Sequence, residues 1–194
     1  MRFLLISFIS LCTSLPAAAF DVYALGTSNT NCKNANQAYT NKLNSILESD
    51  RIRVINGGSD GDKPIWMKAR LESAVAKNPE IRIVIFEPGP NERNKEYNTK
   101  PSAEILSWLH EKKIPTIYVS HSMIQNYSEA VEFAAQYDAY YYGNWTKGIP
   151  TDHEHRLYDQ PGSPGHLSVK GCEKWAEQMA PLIREVAKKH GFLD

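Results

Sequence analysis

The sequence predicts an α/β domain built on a doubly wound, five-stranded parallel sheet with helices on both faces. Three observations lead there. Short β-branched runs alternate with longer segments whose apolar residues recur at helical spacing. The third run, Ile81 to Phe86, is apolar almost throughout, as befits a strand buried on both faces. The chain has 194 residues, enough for one domain with a substantial core and too few for two.

Composition excludes some partners. Lys plus Arg and Asp plus Glu both number 22, so the formal net charge is zero, and no excess field draws nucleic acid or an anionic membrane surface. The first nineteen residues are expected to stand apart from the fold. Arg2 gives a positive start, Phe3 to Leu15 is nearly all apolar, and Pro16-Ala17-Ala18-Ala19 offers small residues before a cleavage at Phe20. This is the pattern of a secretory signal peptide, so residues 20–194 are the expected domain and its destination is periplasmic or secreted. The apolar run is too short to span a bilayer, and no later segment resembles a membrane anchor. Leu11 is too bulky beside Cys12 for a lipidation site. Without the leader, Cys32 and Cys172 remain: in an oxidising compartment they are a disulfide candidate joining the first helix to the last, and otherwise two partly buried thiols.

The elements follow in order. Phe20 to Leu25 is the first strand. Asn31 to Ser49 reads as a helix, with Ala35, Ala38, Leu43, Ile46 and Leu47 on one face. Arg51 to Ile55 is the second strand, followed by a glycine-rich loop over 56–62. Pro64 opens a helix to Lys77, proline being tolerated in a first turn. After the third strand, 87–100 is a polar loop, and Pro101 starts a helix to Lys112. Ile114 to Val119 is the fourth strand, Met123 to Gln136 a helix, and Ala139 to Tyr142 the fifth strand, which accounts for Tyr140, Tyr141 and Tyr142. Residues 143–165 are irregular and too long for a bare connection. Ser168 to His190 is an amphipathic last helix, with Trp175, Met179, Leu182, Ile183 and Val186 together.

In such a sheet the loops beyond the carboxyl ends of the strands share one rim, where ligands bind. Ser28 follows strand one there, ahead of a helix whose start gathers partial positive charge. That place suits a nucleophile whose attack creates an oxyanion. Gly61, Asn91 and His166 reach the same rim from other loops. Acyl transfer needs such a set: a hydroxyl, a base near neutrality, and donors aimed at developing negative charge.

Four blocks carry a resemblance. They are Leu25-Gly26-Thr27-Ser28-Asn29, then Val54-Ile55-Asn56-Gly57-Gly58-Ser59-Asp60-Gly61-Asp62, then Glu87-Pro88-Gly89-Pro90-Asn91, then Gly165-His166-Leu167-Ser168-Val169-Lys170-Gly171. In this order on one α/β scaffold they resemble the SGNH hydrolases, or GDSL-type esterases and lipases. They are most similar to the small periplasmic branch of thioesterases, arylesterases and lysophospholipases. The resemblance implies a flavodoxin-like sheet and a small-molecule acyl ester or thioester as substrate. It implies Ser28 as nucleophile, His166 as base, and an oxyanion hole from the N–H groups of Ser28 and Gly61 with the Asn91 amide. No metal or organic cofactor is implied, and oligomeric state is not legible.

Two positions depart from the family. Thr27 stands where it has an acid before the nucleophile. Ser163 stands three residues before the histidine, where the family has its triad carboxylate. Asp159, Asp152, Ser163 or a backbone carbonyl are the alternatives for orienting His166, the last two leaving a Ser-His dyad. Each block alone has a plainer account: the glycines as a turn, Asn91 as a cap, His166 as the neighbour of an N-cap at Ser168. His153, Glu154 and His155 read as a solvated stretch rather than a metal site, and His121 is given no role. Gly26, Thr27, Gly57 and Gly58 are expected as small residues at the rim. Beside a serine esterase, the sequence leaves open an O-acetyl esterase of carbohydrate or peptidoglycan and a non-catalytic binding domain.

Overall fold

The computed structural model describes residues 19–33, 35–160 and 165–194; the expected leader up to Ala18, including Cys12, and Ser163 lie outside them. Five parallel strands, β1 Phe20–Gly26, β2 Ile52–Gly58, β3 Ile81–Phe86, β4 Thr116–Ser120 and β5 Tyr140–Asn144, form one sheet in the order β2-β1-β3-β4-β5. This is the flavodoxin-like order, and its switch point lies between β1 and β3. Ser28 and Asn91 follow those two strands.

Alternation along each strand builds two cores. From β1, Val22 and Ala24 turn to a core made with α2 Ala38–Leu47 and α6 Val169–Lys189. Tyr23 and Leu25 turn to the opposite core, made with α3 Pro64–Lys77, α4 Lys95–Glu111 and α5 Tyr127–Ala135. A sheet covered on both faces explains why β1 is buried along its whole length. Tyr39 of α2 stacks on Trp175 of α6 with ring centroids 4.1 Å apart. No described helix is long and apolar enough to cross a membrane.

Four elements differ from the sequence expectation. β2 runs on to Gly58, through the first three residues of the expected glycine-rich loop. The helix expected over 31–49 starts only at Ala38, as α2, and a separate single turn, α1 Ser28–Asn31, precedes it. Between them Cys32, Asn36 and Gln37 take positive φ, a left-handed conformation that no helix continues through. The polar loop after β3 is shorter than expected, because Asn94 caps α4 by accepting from the N–H groups of Glu96 and Tyr97, and Pro101 is carried inside that helix. The fifth helix starts later, at Tyr127, in a capping box between Asn126 and Glu129. Cys32 and Cys172 are joined in a disulfide, with Cα atoms 6.3 Å apart, which ties the end of α1 to α6.

Candidate active site

The site begins with the abrupt end of β1. Gly26 is its last residue, and a Cβ there would lie 2.0 Å from Thr30 Oγ1 and 2.9 Å from Glu87 Oε2. Glycine therefore lets the next loop close tightly over a buried carboxyl. Thr27 caps α1, its Oγ1 accepting from the Asn29 N–H at 3.3 Å. Ser28 is the first helical residue, so its own N–H has no acceptor within the helix.

Glu87, at the end of β3, holds this turn from below. Its carboxyl accepts from the Thr27 N–H (3.0 Å), Thr27 Oγ1 (2.8 Å), Asn29 Nδ2 (3.1 Å) and Thr30 Oγ1 (3.1 Å). Burial pushes the Glu87 carboxyl above the usual carboxylate range, with these hydrogen bonds pulling the other way. Thr27 thus donates to an acid at the end of the neighbouring strand. The sequence signal for Glu87 is an acidic residue directly after the apolar run Ile83 to Phe86.

The base arrives on a short antiparallel ribbon within the long 145–168 segment. Leu157 N–H donates to the His166 carbonyl, Gly165 N–H to the Leu157 carbonyl, each at 2.7 Å, and Arg156 pairs with Leu167. This pairing folds Asp159 back onto His166. Asp159 Oδ1 accepts from the His166 N–H at 3.0 Å, and Oδ2 lies 2.5 Å from His166 Nδ1. The other ring nitrogen, Nε2, is 2.9 Å from Ser28 Oγ. Burial alone would raise the Asp159 carboxyl; its hydrogen bonds from His166 and the imidazole charge outweigh that and hold it below the usual range. Among the described residues, Asp159 is therefore the alternative in contact with the ring, and Ser163 lies outside them. Asp152 bonds His155 instead, Oδ1 to Nδ1 at 2.7 Å. Glu154 pairs with Lys170, and Ser168 caps α6 through the Gly171 N–H. A hydroxyl, an imidazole and a carboxylate in line can move a proton from oxygen to Nε2 and stabilise the imidazolium that results.

The expected donors are only partly brought together. Ser28, Asn91 and His166 line one cavity of about 700 Å³, and Gly61 is not part of its lining. Gly61 is exposed at φ +74°, a conformation that favours glycine. Its loop is nevertheless fixed to the site: Asn91 Nδ2 donates to the Asp62 carbonyl at 2.9 Å, which leaves that amide its second hydrogen. Arg70 of α3 grips the same loop through the Asp62 carboxylate, the Gly57 carbonyl at 2.7 Å and the Gly26 carbonyl at 3.3 Å. Asn98 holds the loop of Asn91 by donating to the Gly89 and Glu92 carbonyls.

The walls correct one expectation. Gly26, Thr27, Gly57 and Gly58 do not line the cavity; Gly26, Thr27 and Gly57 are buried beneath it. The far wall comes from the loops after β3, β4 and β5 and the histidine ribbon, and brings Arg93, His121, Met123, Trp145 and Arg156. His121 stacks on Trp145 with an interplanar angle of 19°.

No protein-family model matches this chain, and no curated protein does. Solved structures do match. TesA superposes with a TM-score of 0.74 at 15% identity, over 86% of this chain and 99% of TesA. The psychrotrophic esterase EstA from Pseudoalteromonas sp. gives 0.72 at 14% identity, over 85% and 97%. AlinE4, described as an SGNH-hydrolase family esterase, gives 0.59 at 19% identity, over 87% and 96%. Likeness at such identities is likeness of fold, and it runs nearly end to end in all three. Joined to the β2-β1-β3-β4-β5 strand order, it gives the chain its place: this protein has the SGNH-hydrolase fold.

Proposed function

We propose that the protein hydrolyses carboxylic esters or thioesters through an acyl-serine intermediate on Ser28. The observation that carries this is the line Ser28 Oγ, His166, Asp159, with contacts of 2.9 and 2.5 Å. Ser28 Oγ attacks the acyl carbon while its proton passes to His166 Nε2. The new oxyanion takes hydrogen bonds from the Ser28 N–H and the Asn91 amide, while Gly61 stands outside the cavity lining. The C–O or C–S bond then breaks, and the leaving group takes the proton from Nε2. Water, deprotonated in turn by His166, attacks the acyl-serine; the acid leaves and Ser28 regains its proton. Asp159 fixes the tautomer and faces the imidazolium in both steps.

Ser163 stands in place of the family carboxylate, and the Asp159 contact supports catalysis over a non-catalytic domain by supplying a carboxylate from another position. An export leader over residues 1–19 belongs to the same proposal and is tested by N-terminal sequencing of the exported protein, which should begin at Phe20; a sequence that still begins at Met1 rejects the leader. The chemistry is tested with p-nitrophenyl acetate, butyrate and longer esters. Wild type should release p-nitrophenol with a burst where deacylation is slow, and Ser28→Ala and His166→Ala should each lose at least about 10³-fold in kcat. Equal rates in wild type and Ser28→Ala reject the assignment. Turnover confined to acetyl esters selects an O-acetyl esterase.

A further inference from the structure

The cavity over Ser28 has an unbalanced charge. Two arginines line it, and no carboxylate does among the described residues. Residues 161–164 are Pro, Gly, Ser and Pro, so their side chains bring none either. Arg93 lies exposed at the mouth, whereas Arg156 is only 8% exposed.

Buried guanidinium groups are normally paired. Elsewhere in this chain even the more exposed Arg53, Arg70 and Arg184 pair with Asp21, Asp62 and Asp50. Arg156 has no such partner among the described residues. Its Nη2 donates to the Gly165 carbonyl at 2.9 Å, its guanidinium lies 5.3 Å from the Trp145 ring centroid, and its Nε is buried without an acceptor among the described residues. Asp159 is the nearby acid, but both its oxygens already accept from His166. Burial lowers the Arg156 pKa and the fields of Tyr158 and Asp159 raise it, and a guanidinium keeps its charge through such a shift.

His121 completes the wall as a neutral donor. Its Nδ1 accepts from the Met123 N–H at 3.2 Å, which leaves the proton on Nε2. Burial, then the charge of Arg156, push its pKa down to about 4. The wall therefore offers N–H donors and an uncompensated positive charge, and lacks an acceptor of opposite sign.

We propose that Arg156, with Arg93 at the mouth and the His121 N–H beside it, forms an anion subsite next to Ser28, so that the preferred substrates are esters carrying a carboxylate or phosphate group. This rests on Ser28 as the nucleophile. A bound anion supplies the acceptor that Arg156 lacks, and its charge-assisted hydrogen bonds orient the ester over the hydroxyl.

The test uses matched pairs that differ only in charge. Mono(4-nitrophenyl) adipate and its methyl ester place the charge on the acyl side. 4-Acetoxyphenylacetate and its methyl ester place it on the alcohol side. 4-Acetoxybenzylphosphonate and its diethyl ester stand for phosphate. Wild type should favour the anionic member of at least one pair by tenfold or more in kcat/KM, and the favoured pair names the source. Arg156→Gln should bring that ratio to about one, and Arg156→Lys should keep part of it. Arg156 also steadies Gly165, so a loss common to both members of a pair is expected; the ratio cancels it. No anionic preference in wild type overturns the proposal, as does a ratio unchanged by both substitutions. A wild type inert to every ester counts against Ser28 as nucleophile instead. The subsite is then read from calorimetric titration of the full chain with adipic acid monoanilide and its methyl ester. Binding of the acid alone, lost in Arg156→Gln, supports the subsite, and equal binding of both overturns it.

Discussion

The two walls that meet at Ser28 and His166 are built in opposite ways. The serine wall is the rigid end of a buried sheet: Gly26 closes on Glu87, whose carboxyl takes four hydrogen bonds from residues 27 to 30. The histidine wall is a loop whose order comes from a few pairings at Leu157, Asp159 and Arg156. A nucleophile on a sheet end is placed by packing that the whole core enforces. A base on a loop is placed by local bonds, each of which can be removed singly. The disulfide joins the two walls, since Cys32 ends the turn that Ser28 begins and Cys172 lies on α6, which the histidine loop enters.

This contrast can be broken or sharpened by substitution. Asp159→Asn should have the largest effect, lowering kcat by about 10²–10⁴ through loss of the ring's orientation and of the imidazolium's partner. The melting temperature should hardly move, because the carboxylate sits on a loop; a large drop would mean that the histidine wall is as deeply anchored as the serine wall. Replacing both Cys32 and Cys172 by Ser should cost about 5 kcal/mol in urea unfolding, the chain-entropy value for a closure spanning 140 residues. The folded fraction should keep its kcat/KM within about tenfold, because each wall has its own hydrogen bonds. A loss beyond a hundredfold would mean that the bridge sets the Ser28 to His166 distance.

Glu87 tests the other wall. Glu87→Ala strands four donors and should cost about 2–4 kcal/mol of stability, with Glu87→Gln costing less because it keeps an acceptor. The smallest effect concerns pH. Burial raises the Glu87 pKa in the folded state, so the folded protein holds this proton more tightly than the unfolded chain. Stability from this group is present below the ordinary carboxylate range and lost as pH rises through the folded pKa. Urea unfolding across pH should show that decline in wild type and not in Glu87→Gln; a stability that rises over the same range would mean the four donors outweigh burial.

Much of this was legible in the sequence, for definite reasons. Alternating β-branched and amphipathic segments report which surfaces must be buried, and burial on both faces of β3 leaves few architectures. The ends of the first and third strands were legible too, so Ser28 and Asn91 could be placed on one rim. The break at Cys32 to Gln37 was not, because Ala35, Ala38 and Leu43 keep the helical period across residues whose φ angles leave the helix. Asp159 was legible only as one of several acids, since a separation of seven residues is closed by a ribbon pairing and not by any local period.

The sequence by itself determined the alternation of strands and helices, the serine at the first strand end and the histidine ahead of the last helix. These follow from local chemistry: β-propensity, helical spacing, turn residues. Only the tertiary structure decided that Glu87 lies beneath residues 27–30, that Asp159 reaches His166, and that Arg156 is buried in the cavity wall without a carboxylate. Each joins residues whose meeting depends on how loops fold across the rim, and hydrogen bonds between distant loops leave no period in the chain.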